Sequence, residues 1–136
     1  MVELSTEGSK NNLQVTEYHP VRIGGNWHYP CDLAEAKEIA CDEIFSFVLE
    51  TGHVMLIEGI ECVGLGHNFV NDVVVAHPYF GSQRIIEDLK KVEGWSVGMI
   101  TFHSRPFLYN PNTELIEGVV RNTVSTEPVP ISSSVL

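Results

Sequence analysis

Basic residues are scarce in this chain: eight Lys and Arg stand against eighteen Asp and Glu, for a formal net charge of −10. Phosphate recognition needs a basic patch, and Lys90-Lys91 is the only basic pair, so neither nucleic acid nor an anionic membrane is expected as a partner. Long apolar runs are also missing. None approaches the ~20 residues of a membrane-spanning helix, and Met1-Val-Glu-Leu-Ser-Thr-Glu offers no basic n-region or apolar h-region of a secretory leader. Cysteine is limited to Cys31, Cys41 and Cys62, odd in number and irregularly spaced, which excludes both a disulfide framework and a C-x-x-C zinc site. A soluble cytoplasmic protein with reduced thiols is expected.

What is present suits one modest domain. The 136 residues are 43% hydrophobic and 19% charged, enough apolar material for a core and too little charge for wholesale disorder. Val2 and Leu4 alternate with polar residues, Glu7 to Asn12 supplies turn chemistry, and Leu13 and Val15 resume the alternation, which predicts a hairpin. Residues 32–39 read as irregular. Ile44 to Leu49, Val54 to Ile57 and Ile60 to Leu65 are apolar runs parted by Thr51-Gly52 and Glu58-Gly59, the pattern of an antiparallel meander. Val73 to Ala76 is a further β-branched strand. Ser82 is a suitable N-cap for a helix reaching Val92, with Ile85, Ile86, Leu89 and Val92 on its apolar side and Gly94 as its stop. Trp95 to Phe102 and Leu115 to Val120 read as closing strands. The predicted fold class is therefore mainly β with one α-helix in the C-terminal half, a domain over residues 1–122 and a loose tail over 123–136.

The segment Thr16-Glu17-Tyr18-His19-Pro20 lies on the second arm of the predicted hairpin. A strict period of two places positions three apart on opposite faces, so the strand must bend for Thr16 and His19 to converge. Converged, a hydroxyl and an imidazole can polarise a backbone carbonyl and protonate the departing amide nitrogen. The plainer reading is a strand end in which Thr suits β geometry and His precedes a proline.

Further blocks follow in order: Leu65-Gly66-His67, Ala76-His77-Pro78-Tyr79-Phe80-Gly81, the helix from Gln83 and Gly94-Trp95. With the Thr-x-x-His-Pro element, the Trp27 to Pro30 segment and the Asn110-Pro111-x-Thr113 turn, they make the chain resemble the Hint (hedgehog/intein) superfamily, and within it the Vint type, from about Leu13 to Val120. The resemblance implies a Hint-like β fold and self-processing, in which a Cys or Ser at the domain's first residue attacks the preceding carbonyl and turns an amide into a thioester or ester. Thr16 would then hold the scissile backbone, His19 would protonate its nitrogen, and His67 would join them. No cofactor is implied. The family's nucleophile lies well upstream of the Thr-x-x-His element; here fifteen residues precede Thr16 and none is Cys, and Ser5 and Ser9 are too close. The chain is thus expected to be the later part of such a domain, inactive alone, its partner its own polypeptide or an N-terminal fragment. The alternative is a non-catalytic β scaffold serving as a binding or structural subunit of a larger assembly.

His67-Asn68 matches the His-Asn at which inteins commonly end, but Phe69 replaces the Cys, Ser or Thr that splicing requires. A turn at Asn68 is the preferred reading. His77 reads as a strand-end residue above a core of Tyr79 and Phe80, with a supporting role at the site as the alternative. Six histidines raise a zinc hydrolase as a competitor, yet His28, His53 and His103 show no helical metal-ligand spacing, so no metal is expected.

Overall fold

The computed structural model describes residues 1–102 and 106–119. Strand β1 (Val2–Leu4) pairs antiparallel with β2 (Leu13–Val15), Val2 opposite Val15. The alternation explains the pairing: Val2, Leu4, Leu13 and Val15 are buried, while Glu3 and Gln14 face out and share a 3.0 Å hydrogen bond. A second sheet has the order β4-β3-β6-β5, built from β3 (Val21–Ile23), β4 (Asn26–His28), β5 (Val54–Ile57) and β6 (Ile60–Val63). Its two tight turns, Gly24-Gly25 and Glu58-Gly59, take positive φ at both central residues, which matches the twist of a two-residue hairpin. One turn of helix, α1 (Pro30–Leu33), follows β4.

Helix α2 (Gln83–Leu89) starts where Ser82 accepts a hydrogen bond from the Arg84 amide, and it buries Ile85, Ile86 and Leu89. It packs on the hairpin of β7 (Phe107–Asn110) and β8 (Leu115–Val119), and Arg84 Nη2 donates to the Glu117 carbonyl at 3.1 Å. Two apolar clusters result. The first joins Val2, Leu4, Leu13, Val15, Val21, Ile60 and Cys62; the second joins Leu65, Tyr79, Phe80, Ile85, Ile86, Leu89 and Val119. The fold is mainly β, as expected, and no helix among the described residues is long and apolar enough to cross a membrane.

Several local expectations are corrected. Residues 44–49 form no strand: Val48 makes one isolated parallel bridge to Leu65, and Phe45 and Phe47 stack on each other in solvent at 6.4 Å. Val73 to Ala76 is a turn, because Asp72 captures the Val74 amide with its side chain and the Ala76 amide with its carbonyl. Trp95–Val97 is a 3₁₀ turn bracketed by Gly94 and Gly98, both left-handed, which no strand accommodates. Helix α2 ends at Leu89 rather than Val92. Strand β2 stops at Val15, and Thr16 to His19 forms a turn instead of a strand arm. His103, Val120 and the tail over 123–136 lie outside the described residues.

Candidate functional site

Val15 and Thr16 are buried in succession, at 7% and 4% exposure, so the alternation of β2 breaks at Thr16 and the chain bends there. The His19 amide closes the turn on the Thr16 carbonyl at 3.3 Å, and buried Pro20 leads into β3. His19 Nε2 lies 2.8 Å from the Val63 carbonyl at the end of β6. A carbonyl only accepts, so Nε2 carries the proton and Nδ1 is bare in the neutral ring. Burial depresses the His19 pKa to about 4, with the Val63 hydrogen bond opposing it. Thr16 Oγ1 is buried without a hydrogen-bond partner. The β1–β2 register places Met1 across from Thr16, and Met1 is itself pinned to Lys37 by two backbone hydrogen bonds, of 3.0 and 2.8 Å.

His67 sits four residues beyond Val63. The intervening chain threads between the two clusters: Leu65 donates to the Phe47 carbonyl and Gly66 to the Phe80 carbonyl, each at 2.8 Å. Gly66 has φ +68°, and a Cβ there would meet Ile86 at 2.6 Å. His67 is 3% exposed, its ring lies 4.9 Å from that of Phe69, and Nδ1 accepts from the Phe69 amide at 2.8 Å. Burial first, then charge on His53 and His77, bring its pKa to about 4, with the neighbouring Val75 backbone opposing them, and Nε2 is buried with no partner in good hydrogen-bond geometry. Asn68 is left-handed (φ 60°), donates its amide to the Gly81 carbonyl and turns Nδ2 back to the Gly66 carbonyl at 3.3 Å. This is the turn expected of it, and it aims the side chain away from cyclisation.

His77 resembles His67 in its wiring. Its Nδ1 accepts from the amides of Tyr79 (3.1 Å) and Phe80 (2.9 Å), its ring lies 4.8 Å from Phe80, and burial lowers its pKa. Tyr79 fills the core below, its hydroxyl 2.7 Å from Asp88. A cavity of about 520 Å³ is bordered by Val63, Tyr18 and Pro20 on one side and by His67, His77 and Phe107 on the other. A second, wide-open depression of about 480 Å³ lies between residues 6–11 and Glu58-Gly59, away from the histidines.

Thr16 and His19 thus share one turn, His19 is bonded to the end of β6, and His67 follows Val63 by four residues; no hydrogen bond links any two of the three. None of the thiols bonds to these groups. Cys62 is buried, donates to the Ile60 carbonyl and is pushed up to about 11; burial also raises Cys31, whose amide donates to the Glu17 carbonyl; Cys41 is exposed. Among the described residues no three His, Cys, Asp or Glu are grouped to hold a metal ion. The sequence reading overlooked the Val63 carbonyl as the group that fixes the His19 tautomer. A backbone acceptor leaves no mark in residue identity, and the only hint was the adjacency of the run 60–65 to Gly66-His67.

The family model described as Vint, a Hint-domain, matches residues 1–118. No curated protein matches the chain.

Proposed function

The chain belongs to the Vint family of Hint domains, and from that membership we propose that it serves protein self-processing, its Thr16-His19 turn activating a peptide bond for attack by a Cys or Ser. The observation that carries this reading is the state of His19: Nε2–H is committed to Val63, and Nδ1 is free beside a turn whose Thr16 hydroxyl is buried and unpartnered. An imidazole with a pKa of about 4 is neutral at pH 7, so it acts first as a base. The attacking thiol gives its proton to Nδ1 as sulfur bonds to the carbonyl carbon. Nδ1 then returns that proton to the departing nitrogen as the C–N bond breaks, leaving a thioester and an amine. Thr16 Oγ1 is the donor for the scissile carbonyl. His67 enters as a neutral companion on the far side of Val63.

The reading is tested by joining a Cys-bearing segment upstream of Met1, which lies across from Thr16, and treating the product with dithiothreitol. Thiol-dependent release of the upstream fragment is expected by mass spectrometry, slowed about 10²–10⁴-fold by His19→Ala, while the 136-residue chain by itself stays intact. Absence of release, or release unaffected by His19→Ala, contradicts it. The position of the three thiols, none bonded to the turn, favours one second reading, a scaffold that binds without cutting; that reading predicts no release with any upstream Cys.

A further inference from the structure

One exposed stretch of the chain carries aromatic side chains where polar ones are expected. From Glu43 to Val48 exposure alternates with a period of two: Glu43, Phe45 and Phe47 face solvent, while Ile44, Ser46 and Val48 are half-buried. The inner row anchors the segment. Val48 packs on the second apolar cluster and bridges Leu65, the Phe47 carbonyl accepts from the Leu65 amide at 2.8 Å, and the Ser46 hydroxyl is buried. The outer row is open: Phe45 is 57% and Phe47 44% exposed, and their rings stack with centroids 6.4 Å apart and planes inclined by 24°. Scattered apolar exposure is ordinary, but two phenyl rings stacked on one face of a segment tied down from behind form a patch of the kind that marks a docking surface.

The chemistry of the partner follows from what stands beside the rings. Glu43 shares their face, two residues before Phe45, and residues 35–50 hold Glu35, Glu38, Asp42, Glu43 and Glu50 against Lys37 alone. A carboxylate next to an aromatic face suits a guanidinium, which stacks on the ring while it pairs with the carboxylate. The fold already contains that combination: Arg22 lies over Trp27, 5.1 Å from the ring centroid, while it binds Glu61 at 2.7 and 3.0 Å. Arg84 is likewise engaged, over the Tyr79 ring at 5.5 Å, and Arg105 and Arg121 lie outside the described residues. A net charge of −10 opposes both a second copy of the chain and an anionic membrane on this acidic face.

We infer that the Glu43-Phe45-Phe47 face docks a basic polypeptide partner, which lays an arginine side chain over the two phenyl rings with its guanidinium toward Glu43. The arginine supplies the charge that complements this acidic stretch, and its flat, weakly hydrated head covers the rings at a smaller desolvation cost than the ammonium of a lysine. Binding here asks nothing of the Thr16-His19 turn, so the surface stands or falls apart from the processing reading.

The test uses the full chain with ¹³C-labelled phenylalanine, titrated at neutral pH and low salt with acetyl-Ala-Arg-Ala-amide and with the same peptide carrying lysine or citrulline in place of arginine. Saturable movement of the Phe45 and Phe47 ring signals by the arginine peptide is expected, with weaker binding of the lysine peptide and none of the uncharged citrulline peptide. Phe45→Ala and Glu43→Gln, both at exposed positions that folding does not depend on, should each weaken binding about two- to fivefold. Failure of the arginine peptide to saturate, equal binding of the lysine or citrulline peptide, or binding unchanged in both variants overturns the inference. So does saturation that appears only in the double variant Arg105→Ala, Arg121→Ala, which would give the face to an arginine of this chain. A dimer in sedimentation that Phe45→Ala disperses would give it to a second copy, and overturns the inference equally.

Discussion

The two halves of this domain are held together in different ways. In residues 1–63 the core is a set of short strands whose side chains alternate, Val2, Leu4, Leu13, Val15 and Val21 inward, and these strands are held to one another by backbone ladders. In residues 64–119 the core is filled by Tyr79, Phe80 and one face of α2, and the chain between elements is tied by side chains to backbone: Asp72 to Val74, His77 to Tyr79 and Phe80, Ser82 to Arg84. Ladders use backbone groups alone; side-chain ties need polar side chains. His19 and His67 lie where the two arrangements meet, His19 reaching across to Val63 and His67 just beyond it in the chain. The junction is where polar groups are buried without full satisfaction, and it is where the candidate chemistry lies.

Acid should separate the halves with the largest effect. His19 and His67 each have a folded pKa near 4 against an ordinary value of 6.5, so between these limits the unfolded chain binds more protons than the folded one. Their contribution is fully present above about pH 6.5 and is lost as pH falls toward 4, on the order of 5 kcal/mol for the pair. Urea unfolding followed across this range should show an uptake of about two protons, reduced by about one in His19→Asn; a flat stability from pH 6.5 to pH 4.5 would place both imidazoles in water.

Smaller in scale is the glycine at the junction. Gly66→Ala forces a Cβ against Ile86 at a left-handed residue and should destabilise by about 2–3 kcal/mol. Gly52→Ala, equally left-handed but with open space around it, should cost only about 1 kcal/mol. Equal effects at the two sites would show that the junction is loosely packed. The least effect is expected at the sheet surface. Arg22 forms a bidentate pair with Glu61, at 2.7 and 3.0 Å, but both side chains are about a third or more exposed, so Arg22→Ala should leave the urea midpoint unchanged within error.

The difference between the halves also governs what residue identity could reveal. The hairpin of β1 and β2, that of β5 and β6, the Ser82 cap and β8 all announce themselves through period and punctuation, and the Gly24-Gly25 turn carried a signal for the β3–β4 hairpin that went unused. In the second half, Val73-Val74-Val75 has every mark of a strand, yet one Asp72 side chain and its carbonyl convert it to a turn, and paired left-handed glycines do the same around Trp95. Such ties act through single hydrogen bonds that no periodicity records. The candidate site was legible as residue types, Thr16, His19 and His67, because spacing and family resemblance marked them. The tautomers and proton affinities were not, because they are imposed by backbone groups 44 residues away in the case of His19.

The central claim is that His19 waits as a neutral imidazole with Nε2–H held by Val63 and Nδ1 bare. Titrating the ¹⁵N imidazole signals of the full chain from pH 7.5 to pH 3.5 tests it directly. The account predicts the Nε2–H tautomer through the neutral range and protonation only near pH 4; a His19 that titrates near 6.5, or that carries its proton on Nδ1, would contradict it.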